Sequence, residues 1–179
     1  MPELPTPALD ALKETLPDTA RDLKLNLGSV LGNESLTAEQ TWGVALAAAY
    51  FIGEPRLRDA LLTDARAAAV GEAVMEDAQA AAALMGMNTV YYRFRHLVGK
   101  PSYGQRPSRL RMQWMAKPKT SKATFELCCL AVAVLAGCEM CIKSHEASLL
   151  KEGITEEQVH DTVRIAAVLQ GVCVGLALA

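Results

Sequence analysis

Two thiols separated by two residues, with a histidine four positions further on, stand in the run Gly137-Cys138-Glu139-Met140-Cys141-Ile142-Lys143-Ser144-His145-Glu146. Gly137 interrupts the apolar stretch before it, so the run reads as a helix from Cys138 to about Lys151. A helix N-terminus offers unpaired N–H groups and the positive end of a dipole. Both favour thiolate over thiol and so enlarge the population of nucleophile near neutral pH. The two-residue spacing also lets the sulfurs close into a small ring. At about 100° per residue, Cys141 lies about 300° and His145 about 340° round the helix from Cys138, so the three share a face and Met140 points away. His145, one turn beyond Cys141, is placed to exchange a proton with it directly or through a water. The residues alone leave the order of attack open: the dipole favours the cysteine nearer the helix start, and His145 favours Cys141.

Glu126 is the only charged residue between Lys122 and Glu139. A carboxylate in so apolar a run is costly to bury unpaired and requires a partner or a proton. A tight turn at Gly137 between antiparallel helices would bring it beside His145, where it would orient the ring and raise its basicity. The other three of the five cysteines, Cys128, Cys129 and Cys173, sit within apolar helical runs and read as small buried hydrophobes. No second CxxC is present, and His96 and His160 stand at no ligand spacing, so a metal site is not expected. His160 reads as a solvated surface residue. Met85-Gly86-Met87-Asn88 and Tyr91-Tyr92-Arg93 read as helix packing, with Gly86 and Gly171 allowing the two halves to approach.

The elements that must hold these groups are helices. The 179 residues are 51% hydrophobic and rich in alanine and leucine, and no convincing run alternates apolar and polar residues at period two, so the fold class is all-α in a single domain over 1–179. Helices are expected over 7–16, over 18–31 behind an Asp18 cap, over 38–52 behind Thr37, over 56–70, 72–98, 121–136 and 138–151, and from a Thr155 cap to the end. Residues 99–120, with Pro101, Gly104, Pro107 and Pro118 scattered among basic residues, read as a surface connection with one short helix. Lys+Arg at 18 against Asp+Glu at 20 leaves no basic excess for a phosphate backbone, so nucleic acid is not an expected partner. The uncharged apolar runs fall short of the roughly 20 residues that span a bilayer, so no membrane is expected. The acidic, proline-containing N-terminus lacks a signal-peptide pattern, which points to the cytoplasm.

The halves 38–98 and 121–178 resemble each other. Thr41-Trp42-Gly43-Val44 aligns with Thr124-Phe125-Glu126-Leu127 at an offset of 83, and Leu84-Met85-Gly86-Met87 with Leu169-Gln170-Gly171-Val172 at 85. An internal duplication of a three-helix unit is the expectation, with about two residues inserted between the anchors. Pro55 and Arg58 then occupy the places of Cys138 and Cys141.

Taken together, Glu126, Cys138, Cys141 and His145 form an E-x11-CxxCxxxH pattern that resembles the alkylhydroperoxidase D family of the carboxymuconolactone decarboxylase-like superfamily. Asp22-Leu23-Lys24-Leu25-Asn26-Leu27, Met85 through Arg93, Leu110-Arg111-Met112 and Phe125-Glu126-Leu127 are similar to stretches of that family too. The resemblance implies a helical fold with an internal repeat, assembled as a homotrimer. It implies an antioxidant thiol-disulfide oxidoreductase with no bound cofactor. Its CxxC passes electrons from a dihydrolipoyl group on a carrier protein to an alkyl hydroperoxide reductase peroxiredoxin, or to hydroperoxide itself. By the same resemblance Cys141 is the attacking thiol, Cys138 the proton donor and resolving thiol, and Glu126 and His145 a water-assisted proton relay. Some members carry a histidine directly before the second cysteine, where this chain has Met140. A general protein disulfide reductase, or a lyase acting on a small lactone acid, are the competing readings.

Overall fold

The computed structural model describes residues 6–179. Residues 1–5, part of the stretch read as lacking a signal sequence, lie outside the described residues. Ten α-helices and one 3-10 turn follow in order: α1 (Pro7–Glu14), the turn (Asp18–Ala20), α2 (Arg21–Leu31), α3 (Ala38–Ile52), α4 (Pro55–Ala67), α5 (Glu72–Val98), α6 (Pro101–Gly104), α7 (Gln113–Ala116), α8 (Lys122–Leu135), α9 (Glu139–Lys151) and α10 (Glu156–Ala177). Among the described residues there is no strand.

The caps follow local chemistry. Thr37 and Gln40 close a reciprocal capping box on α3, and Thr155 and Gln158 do the same on α10. Ser121 caps α8 by accepting from the Thr124 N–H. Gly53 and Gly137 end α3 and the turn after α8 at φ 80° and 63°, where a side chain would be strained. Asp18 does not cap α2. The Ala20 N–H bonds to the Pro17 carbonyl, so Asp18 is already inside the 3-10 turn and α2 starts behind Ala20 without a side-chain cap. The cap of α1 comes instead from a distant residue: buried Asp64 of α4 accepts the Ala8 and Leu9 N–H groups at 2.9 and 2.8 Å.

The core centres on α8, which packs against α3, α5, α9 and α10. Leu127 through Ala133 are all buried, as are Val44 through Ala49 of α3. Both helices are therefore apolar all round, the pattern of a helix enclosed by others. A Cβ on Gly43 would lie 3.2 Å from the Cys128 sulfur and 3.3 Å from Val74, so this glycine sets the approach of α3 to α8. The expected Gly86–Gly171 approach is absent. A Cβ on Gly86 would meet nothing within 4 Å, whereas one on Gly171 would lie 2.9 Å from Leu23. The close approach is between α10 and α2, since α2 and the segment before it cover the small-residue face of α10. That helix is long and apolar enough to cross a membrane by length and composition, yet Ile165, Ala166, Leu169 and Val172 are buried within the helical core.

The starts of α8, α9 and α10 each lie 84 residues after those of α3, α4 and α5. This spacing of helix starts lies between the two offsets, 83 and 85, read from local sequence likeness. At a spacing of 84, Glu54 and Leu57 stand at the places of Cys138 and Cys141, and Trp42 and Leu61 at those of Glu126 and His145; at the offset of 83 the first two are Pro55 and Arg58. The left-handed glycines Gly53 and Gly137 are also 84 residues apart. Asp77 and Asp161 also correspond. Asp77 of α5 accepts from Trp114 Nε1, the Lys119 and Thr120 N–H groups and the Thr120 hydroxyl, at 2.6 to 3.0 Å. Asp161 of α10 accepts from the Ser35 hydroxyl at 2.6 Å and from Arg164 at 2.7 Å. Each long helix thus holds the chain that leads into the first helix of the other half.

The connection 99–120 contains two short helices where one was expected, α6 opening at Pro101 and α7 carrying Trp114. It runs back along α5 as a strap. Arg95 donates to the Gly104 carbonyl, Leu110 lies beside Tyr91 and Met87, Met115 meets Asn88, and Trp114 reaches Asp77.

Candidate active site

Cys138 and Cys141 are joined as a disulfide with Cα atoms 5.3 Å apart. Cys138 is the N-cap of α9 rather than its first residue, because the left-handed turn at Gly137 directs the Cys138 N–H back to the Ala133 carbonyl. Arg93 of α5 donates to the Ala136 carbonyl and pins this turn from outside. Cys141 sits in the first turn of α9, where the N–H groups have no side-chain cap. The two residues differ in exposure: Cys138 is 0% exposed, while Cys141 is 6% exposed and lines the cavity described below.

The Glu126 carboxylate accepts from His145 Nδ1 at 2.6 Å, across the α8–α9 contact. Both side chains are largely buried. With Nδ1 turned to the carboxylate, Nε2 is the ring atom left free to exchange a proton. The pairing expected from the lone carboxylate in an apolar run is thus present.

Cys141 and His145 open on a cavity of about 530 Å³. Besides them, α9 lines it with Met140 and Ser144, α5 with Met85, Asn88 and Tyr92, and the strap with Met112, Met115 and Ala116. Met140 therefore does not point away. With Cys138 at the cap, the helical face toward the cavity spans Met140, Cys141 and Ser144. The α5 residues, read from sequence as packing, form the opposite wall. Their spacing of three and four residues was the available signal, with Asn88 a lone amide on that face. Among the described residues two buried side-chain polar atoms lack a partner, Trp42 Nε1 and Asn88 Oδ1, and only the second lies in this cavity. Such a group costs about 1–3 kcal/mol if it stays unpaired.

The remaining cysteines stand apart from this chemistry. Burial pushes the Cys128 and Cys129 thiols far up, with nearby carboxylates adding to it. Cys173 is half-buried on α10, and its thiol is raised more modestly, by desolvation and the Glu54 charge. His96 pairs with Glu139 at 3.3 Å, and His160 is exposed. Among the described residues no three His, Cys, Asp or Glu side chains gather as a metal site. A second, wholly apolar groove of about 560 Å³ on the outer face of α5, beside Val90 and Phe94, carries no reactive group.

The sequence profile of the Carboxymuconolactone decarboxylase family matches residues 101–179, the part that contains the disulfide and the Glu126–His145 pair. An alkyl hydroperoxide reductase AhpD of Anaeromyxobacter dehalogenans is 56% identical over 172 residues, 96% of this chain and 92% of the relative. Proteins of the same name from Solibacter usitatus and Streptomyces griseus are each 45% identical, over 91% and 94% of this chain and 92% and 95% of theirs.

Proposed function

From the chain's membership of the AhpD alkyl hydroperoxide reductases, within the carboxymuconolactone decarboxylase family, we propose that it is a dithiol enzyme passing electrons from a dihydrolipoyl group to hydroperoxide or to an oxidised peroxiredoxin. The observation that carries this reading is the Cys138–Cys141 disulfide at the start of α9, with Cys141 opening on the cavity beside the Glu126–His145 pair. In the reductive half, a dihydrolipoyl thiolate attacks Cys141 Sγ, the Cys138–Cys141 bond breaks, and Cys138 leaves and takes a proton. The second dihydrolipoyl thiol then attacks the mixed disulfide, departing as lipoyl disulfide and freeing Cys141 as thiolate.

In the oxidative half, Cys141 attacks the terminal oxygen of the hydroperoxide. An S–O bond forms, the O–O bond breaks, and the alcohol leaves with a proton from Cys138 or the His145 relay. Cys138 then attacks the sulfenic acid, water departs and the disulfide returns. This order is supported by Cys141 lining the cavity while Cys138 is fully buried and does not line it. Exchange with a peroxiredoxin disulfide uses the same dithiol. The cavity walls carry no Lys or Arg to hold a carboxylate, which speaks against a lactone-acid lyase.

A homotrimer in the cytoplasm belongs to the same reading, with one reactive centre per chain, since the corresponding positions of the first half are Trp42, Glu54, Leu57 and Leu61. The constant 84-residue spacing of helix starts supports reading the halves as two copies of one unit. The test is anaerobic reduction of the oxidised protein by dihydrolipoamide against thioredoxin and glutathione at equal thiol, following the Cys138–Cys141 disulfide by mass. Selective reduction by dihydrolipoamide is expected. Equal rates with all three donors would indicate a general disulfide reductase, and no reduction would end the redox assignment.

A further inference from the structure

Asn88 lines the same cavity as Cys141 and His145, from the opposite wall, and its side chain is buried. Its Oδ1 has no hydrogen-bond partner, and its Nδ2 meets only the Met115 sulfur at 3.5 Å, a weak acceptor. Exchanging the amide oxygen and nitrogen would leave the same deficit. A buried amide without strong partners, set in a wall otherwise made by Met85, Tyr92, Met112 and Met115, is satisfied by a ligand that both donates and accepts next to an apolar tail.

We propose that Asn88 binds the hydroperoxide group and orients its O–O bond toward Cys141, an inference that rests on the hydroperoxide-reducing reading above. The amide oxygen accepts from the terminal O–H, and the amide nitrogen donates to the inner oxygen. This presents the terminal oxygen to sulfur and favours charge developing on the inner one. The step stays balanced as written above: the S–O bond forms as the O–O bond breaks, and the alkoxide takes its proton from Cys138 or His145. The methionines hold the alkyl group. An amide used this way matters only for a substrate with an O–OH group, and not for the intrinsic reactivity of the thiolate.

The test compares three rates in Asn88→Leu, which keeps the approximate volume and removes both hydrogen bonds. These are reaction of the pre-reduced protein with tert-butyl hydroperoxide, alkylation of Cys141 by iodoacetamide, and reduction of the disulfide by dihydrolipoamide. The hydroperoxide rate is expected to fall about tenfold or more while the other two stay within about threefold. All three falling together would make Asn88 a structural residue, and none falling would remove it from the reaction; either result overturns the proposal. Should the leucine variant fail to fold, Asn88→Ser, which keeps a hydroxyl, is read by the same three rates and is expected to lie between wild type and a full loss. A wild-type protein that reacts with dihydrolipoamide but not with hydroperoxide would defeat the hydroperoxide reading itself and this inference with it, without any variant being needed.

Discussion

At the scale of single residues, the four groups picked out by type and spacing occupy one site, and the structure separates what each is exposed to. Iodoacetamide treatment of the reduced native protein should label Cys141 first and Cys173 slowly, and leave Cys128 and Cys129 untouched until denaturant is added. Burial pushes both thiols well above the ordinary cysteine range, and neither side chain is open to the reagent. Peptide mass mapping reads the order, and early label on Cys129 would contradict it. Glu126→Gln keeps a hydrogen-bond acceptor for His145 but removes the carboxylate that holds its Nδ1. Reaction of Cys141 with hydroperoxide near pH 7 should then slow by on the order of tenfold or more. An unchanged pH–rate profile would remove the carboxylate from the relay.

At the scale of elements, the site is held by contacts that bridge the two halves. α9 is positioned by α8 through the Gly137 turn, and by α5 through Arg93 and the strap. The strap itself hangs on Asp77, which accepts four hydrogen bonds from Trp114, Lys119 and Thr120. Burial alone would push this carboxyl up, but hydrogen bonds from the Thr120 hydroxyl, the Lys119 and Thr120 N–H groups and the Trp114 indole outweigh it and hold the carboxyl below its ordinary value. Asp161, buried but bonded by Ser35 and Arg164, is held low in the same way. A carboxyl held low in the folded state stabilises the fold above its ordinary pKa, and that contribution is lost as pH falls through the folded value. Denaturant midpoints should therefore drop as pH is lowered below about 4. Asp77→Asn should flatten that dependence and lower stability near neutral pH by about 3 kcal/mol. Retention of the wild-type acid slope in Asp77→Asn would place the dependence elsewhere.

At the scale of the whole molecule, α5 presents Val90, Phe94 and Leu97 to solvent at a spacing of four and three residues. An exposed apolar row of that kind is what a contact between chains covers. Sedimentation equilibrium should give three times the 19.2 kDa chain mass. Phe94→Glu with Leu97→Glu should lower that mass while leaving the Cys138–Cys141 disulfide able to form. A wild-type monomer would reject the trimer.

The sequence by itself determined the helical class, most helix limits, the capping boxes at Thr37 and Thr155, and the grouping of Cys138, Cys141, His145 and Glu126. Each of these is set by neighbours a few residues away, or by residue types whose burial has few outcomes. Tertiary structure decided the rest. It moved Cys138 to the helix cap and left Cys141 as the sulfur that opens on the cavity. It turned Met140 toward the cavity, gave Gly171 to α2 instead of Gly86, and made Asn88 and Tyr92 into a wall of the site. It also supplied Asp64 as a cap for α1 across more than fifty residues. In alanine-rich helices many faces and registers are nearly equal in local energy, so which face meets which is settled only when all the helices pack at once.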